Sequence, residues 1–115
     1  MFDASAMTGL FTGHPALYGM LEAATDGRLQ ILLPAVSIAE AEEHLTAGLG
    51  GWAIFFLSPN VQTLPLVEHA AVEIGSWPCS MNVRHAVHEA RATRAAVVTR
   101  RPADYQGLEV SLLVV

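Results

Sequence analysis

The sequence predicts an α/β domain: three layers, α/β/α, around a mainly parallel sheet of four or five strands. Three observations predict it. Short apolar runs rich in β-branched residues alternate along the chain with segments of helical periodicity. Gly, Pro, Asn and Asp clusters punctuate nearly every junction, and strands that alternate with helices pair in parallel between helical layers. Finally, 115 residues that are 52% hydrophobic supply one core and are too few for two ordinary ones, so residues 1–115 form a single domain.

The elements follow in order. Met1-Phe2-Asp3 is a stub of strand with Asp3 at its carboxyl end, and Ser5 is placed to cap the helical turn that follows. Thr12-Gly13-His14-Pro15 breaks that turn from a second helix, in which Leu17, Met20, Leu21 and Ala24 recur at three and four. Leu29–Leu33, between Gly27 and Pro34, has the length of a strand. Ala35–Leu49 reads as a helix stopped by Gly48-Leu49-Gly50-Gly51, with Glu40 near the edge of its apolar side. Trp52–Leu57 fits either a short helix or a strand, and its aromatics suit either the core or an interface.

Ser58-Pro59-Asn60 is a turn, Val61–Leu66 a strand weakened by Pro65, and Val67–Ile74 a helix. Ser80 caps a long helix that reaches Thr93 or Arg94 and buries Val83, Val87 and Ala90. On its other side Arg84, His88 and Arg91 fall at i, i+4 and i+7 as a basic ridge, suited to RNA phosphates, to an acidic partner, or to solvent alone. The strand Ala95–Thr99, the loop Arg101–Leu108 and a final run Val110–Val115 complete the chain.

Composition limits the function classes. A net charge of -5 argues against a protein that coats polyanions, whose binding relies on many neutralised phosphates. There is no lysine, and five of the six basic residues, Arg84 to Arg101, lie in the last third. The single cysteine, Cys79, excludes an internal disulfide and, with no basic-then-apolar leader, leads us to expect a cytoplasmic protein. No apolar run approaches the roughly 20 residues of a membrane span, so no membrane role is expected.

In an open α/β sheet the binding crevice lies at the carboxyl ends of the strands. The elements above deliver Asp3, Glu40, Ser80 and Thr99-Arg100-Arg101 there, with Ser5 beside them. The pieces Asp3-Ala4-Ser5-Ala6, Pro34-Ala35-Val36-Ser37-Ile38-Ala39-Glu40-Ala41, Arg84-His85-Ala86-Val87-His88-Glu89-Ala90 and Val97-Val98-Thr99-Arg100-Arg101-Pro102-Ala103-Asp104-Tyr105 resemble, in order and spacing, those of PIN domains. These are small metal-dependent nucleases, among them the toxin ribonucleases of toxin–antitoxin modules, and the last two pieces look most like actinobacterial members.

The resemblance implies about four acids around Mg²⁺ or Mn²⁺ that activate water for cleavage of an RNA phosphodiester. Asp3 matches the first acid and Glu40 the second. No acid stands between Glu73 and Glu89, where the third is expected at a helix start, and Arg101 stands in place of the fourth. A guanidinium about 4 Å from a metal site repels the ion by roughly 4 kcal/mol per unit charge at an effective dielectric near 20. Arg101, or Arg100 if the strand end is rotated, is therefore expected to pair with Asp3 and Glu40 in place of a metal.

The resulting expectation is a degenerate PIN-like module without a cofactor, acting on RNA or a protein partner. The alternative is an active Mg²⁺-dependent endoribonuclease, the toxin of a toxin–antitoxin module. A homodimer and an antitoxin are the partners that the resemblance implies.

Overall fold

The computed structural model describes all 115 residues as a mixed α/β fold of six helices and four strands. In chain order these are α1 (Ala4–Phe11), α2 (Pro15–Thr25), β1 (Ile31–Pro34), α3 (Ala35–Leu45), α4 (Gly48–Phe56), β2 (Val61–Leu64), α5 (Glu68–Ile74), α6 (Met81–Thr93), β3 (Val97–Thr99) and β4 (Leu112–Val114), with a single 3₁₀ turn at Pro102–Tyr105. The strands form two parallel pairs, β1 with β2 from Ile31↔Val61 and β3 with β4 from Val97↔Leu112. Each sheet is thus smaller than the expected four or five strands.

The strands are short for identifiable reasons. Pro34 and Pro65 have no N–H to donate and close β1 and β2. The Met1–Asp3 segment is bonded on both sides: Phe2 N donates to Leu32 O at 2.9 Å, Val98 N to Met1 O at 2.7 Å and Asp3 N to Val98 O at 3.3 Å. Only Phe2 forms a bridge, parallel to Val98, because Asp3 turns out of the extended run to cap α1.

Two caps differ from the sequence expectation. Asp3, not Ser5, is the N-cap of α1: its carboxylate accepts the Ala6 N–H at 2.9 Å, and Ser5 lies inside the helix. The expected helix 35–49 ends at Leu45, with Thr46 in the left-handed region at φ 49°. The glycines meant to stop it instead open α4, because Glu42 reaches over the break. Its carboxylate accepts Ala47 N at 2.8 Å, Gly48 N at 2.7 Å and Trp52 Nε1 at 3.1 Å, which also holds its pKa below the ordinary carboxylate range.

Trp52–Leu57 is accordingly helical up to Phe56, and Trp52 and Phe55 are core residues. Both pack edge-on against Phe11, each with ring centroids 4.7 Å away. Around them Phe2, Met7, Leu10, Leu17, Ile31, Leu33 and Val98 form the larger of two apolar clusters, and Met1, Val83, Val87, Val97 and Tyr105 belong to the second. Leu49, Ile54 and Leu57 on the outer side of α4 remain exposed. No helix is long and apolar enough to cross a membrane.

Helix α6 follows the sequence closely. Ser80 Oγ accepts Val83 N, and Val83, Val87 and Ala90 are buried. His85 is buried too: its Nδ1 accepts the Val36 N–H at 3.4 Å from the first turn of α3, and its Nε2 lies 3.4 Å from Glu89 Oε1. Since Nδ1 receives a proton donor, the ring is neutral with its hydrogen on Nε2. Burial is the main cause that lowers its pKa, and Glu89 opposes it.

Candidate functional site

The carboxyl end of β3, the starts of α1 and α6 and one side of α3 meet at a crevice of about 730 Å³, lined by Asp3, Ser5, Glu40, Ser80, Arg100 and Arg101, with Thr8, His44, Cys79, Asn82 and Asp104 among the other lining residues. Six of the residues singled out from the sequence are therefore brought together. Thr99 is fully buried at the end of β3; its Oγ1 lies 3.3 Å from Ser5 Oγ and accepts Arg101 N at 2.9 Å.

Asp3 sits at the floor, 2% exposed. Oδ1 accepts Ser5 Oγ at 2.7 Å and Ala6 N at 2.9 Å, and Oδ2 accepts the Tyr105 hydroxyl at 2.8 Å. Ser5 Oγ in turn accepts Arg100 N at 2.9 Å, tying the end of β3 to α1. Burial, with Asp3 alongside, pushes the Tyr105 hydroxyl well above the usual phenol range, which favours the protonated, donating form. The donor on Asp3 is thus a neutral phenol, and the pairing expected from Arg101 is not formed. Arg101 is drawn outward instead: its Nε lies 3.2 Å from Asp104 Oδ2, with 70% of its side chain exposed. Arg100 has no carboxylate within ion-pair distance and lies along Gly9, where an added Cβ would stand 3.0 Å from its Cδ.

Glu40 projects from α3 without a hydrogen-bond partner in the protein. Its pKa is raised, first by burial and then by Glu43 and Asp3, against the opposing pull of Arg101 and His44. At the start of α6, where the resemblance implies the third acid, stands Asn82, 6% exposed. Its Oδ1 accepts Ala4 N at 3.2 Å and Ser37 Oγ at 2.6 Å. Asn82 and Tyr105 went unremarked in the sequence. Asn82 carried a usable signal, being the isostere of aspartate at the expected acid position, whereas Tyr105 was only an aromatic in a loop.

This donor set does not fit a hard divalent cation, which takes six or more oxygens with anionic ligands among them. Both oxygens of Asp3 already hold protein donors, Asn82 has its oxygen turned to Ala4 and Ser37, and Glu40 is left alone opposite two arginines. No group of three or more His, Cys, Asp or Glu side chains is placed to hold a metal ion.

The basic ridge is also altered. Arg84 donates to the carbonyls of Cys79, Ile74 and Gly75, closing the turn after α5. His88 Nε2 lies 3.1 Å from Glu73 Oε2, and Arg91 donates to Glu109 O at 3.0 Å while its guanidinium covers the Trp77 ring at 5.4 Å. These side chains link α6 to its neighbours and do not form a free track for phosphates.

Compared with models of known protein families and with curated proteins, the sequence matches none.

Proposed function

We propose that this chain is a PIN-like module that works by binding and not by cleavage, its acid site closed by hydrogen bonds from within the protein. The resemblance of the four sequence pieces supports the scaffold. The Met1–Asp3 segment, bonded to Leu32 on one side and Val98 on the other, supports treating the two strand pairs as one parallel sheet between helical layers. The observation that carries the reading is Asp3: a 2% exposed carboxylate with three protein donors, next to an asparagine where catalysis by metal needs an acid.

Between the RNA and protein partners of this reading, the engaged state of Arg84, His88 and Arg91 favours protein. The exposed Leu49, Ile54 and Leu57 lie in a stretch, Leu45–Val67, that holds no charged residue. A second copy can cover such a face without desolvating a charge, so the module is read as a homodimer, with an antitoxin-like protein as the other occupant.

The test is an RNA cleavage assay with Mg²⁺ and Mn²⁺ titrated over wild type and Asp3→Asn. The expected result is no metal-dependent cleavage above the Asp3→Asn background. Metal-dependent cleavage lost in Asp3→Asn would establish the alternative, an active endoribonuclease.

A further inference from the structure

The crevice keeps features that closing an acid site does not require. The oxygen of Asn82 is fixed by two donors, the Ala4 N–H and the Ser37 hydroxyl, so the orientation of the amide is set. Its Nδ2 is then left without a partner in the protein, on a side chain 94% buried that lines the crevice. That nitrogen is open to the solvent of the crevice, so it is presented to a ligand there. Beside it, the first N–H groups of α6, those of Met81 and Asn82, have no intrahelical carbonyl, and Ser80 serves Val83 and Arg84 instead. Across the crevice stands Arg100, free of any carboxylate.

We propose that the crevice is a metal-independent site for a small phosphate ester, held by Asn82 Nδ2, the first N–H groups of α6 and the Arg100 guanidinium. The inference goes beyond the proposed function and rests only on its reading that the crevice works without a metal. Donors from three directions suit the peripheral oxygens of a tetrahedral phosphate better than the two oxygens of a carboxylate. Of the acids present, Asp3 has both oxygens turned to protein donors below the crevice, and Asp104 faces Arg101. Glu40 is the one acid left facing the ligand, and Arg101 opposes its charge. A small ester suits the site better than a strand. The volume of about 730 Å³ lies within the roughly 300–1,000 Å³ of small-ligand pockets. The net charge of -5 and the engaged Arg84 and Arg91 offer no path for a polyanion to continue.

The experiment is calorimetric titration of the full chain with adenosine monophosphate, inorganic phosphate and a phosphorylated uridine decamer, on wild type, Asn82→Asp and Arg100→Gln. Asn82→Asp keeps the oxygen that serves Ala4 and Ser37 and turns the free donor into an anionic acceptor, whereas Arg100→Gln tests the site without adding a negative charge. Arg100→Gln alters an exposed side chain and guards against a folding defect in the first variant. The expected result is one adenosine monophosphate per chain, weakened at least tenfold by Asn82→Asp and severalfold by Arg100→Gln, with the decamer no tighter. Equal affinity in both variants, or no binding at millimolar ligand, overturns the site. Tighter binding of the decamer assigns the crevice to nucleic acid and overturns the small-ester claim. Cleavage of the decamer would refute the non-catalytic reading separately, whatever the nucleotide affinity.

Discussion

Replacing Tyr105 with phenylalanine isolates the contact that closes the acid site. The ring stays in place, and the one atom removed is the hydroxyl 2.8 Å from Asp3 Oδ2. Tyr105 is 3% and Asp3 2% exposed, so water cannot readily take over as donor. A hydrogen bond to a charged group contributes about 1.5–3 kcal/mol, and here the loss leaves a buried oxygen unserved. At an unfolding entropy of about 2.1 cal/mol/K per residue, 115 residues give ~0.24 kcal/mol/K, so the midpoint should fall by about 6–12 °C. The assay is thermal unfolding followed by circular dichroism at pH 7 for wild type, Tyr105→Phe, Asp3→Asn and the double variant. The cycle should return a coupling above about 1 kcal/mol, since the two side chains touch. A midpoint within about 2 °C of wild type for Tyr105→Phe, or additive single effects, would refute the claim that the phenol holds the carboxylate.

Other expectations concern the framework. His85 is held neutral by burial, with its pKa below the ordinary 6.5. As pH falls through 6.5 the unfolded chain takes up a proton that the folded chain refuses. Stability should therefore decline with acidification until the lowered folded pKa is reached, by at most about 1.4 kcal/mol per pH unit from this group. In urea unfolding between pH 7 and 5, His85→Gln should flatten that slope, and an unchanged slope would assign it to other groups. The same substitution at two helical glycines should have opposite signs. A Cβ at Gly9 would stand 2.7 Å from Leu17 Cδ1, a fully buried neighbour, so Gly9→Ala should cost about 1–3 kcal/mol less up to ~1 kcal/mol of helix propensity. Nothing lies within 4 Å at Gly19, and Gly19→Ala should stabilise by about 0.4–1 kcal/mol in the same denaturant assay.

How much of this was legible in the sequence differs by element, for physical reasons. Helix α6 could be read from Ser80 to Thr93 because its cap, its apolar stripe and its end are all local. The break between α3 and α4 could not: glycines at 48, 50 and 51 signal a stop, and only the contact of Glu42 with Trp52 ten residues away turns them into a helix start. The crevice residues Asp3, Glu40, Ser80, Arg100 and Arg101 were legible because the carboxyl ends of parallel strands converge by topology. Which partner each side chain takes was not. Arg101 and Asp3 have opposite charge, but Asp104 is three residues from Arg101 and reachable in solvent, whereas Asp3 is reached from the second apolar cluster by Tyr105. The ridge Arg84, His88 and Arg91 was correct as a spacing. Its acceptors, the carbonyls after α5, Glu73 and Glu109, come from segments that periodicity within one helix cannot reveal.

The most direct test of a crevice closed without metal is a Mn²⁺ titration followed by the electron paramagnetic resonance signal of the free ion, on wild type and Asp3→Asn. The account predicts free Mn²⁺ equal to the total added for both proteins up to millimolar concentration. One ion bound per chain at micromolar concentration by wild type, and lost in Asp3→Asn, would contradict it.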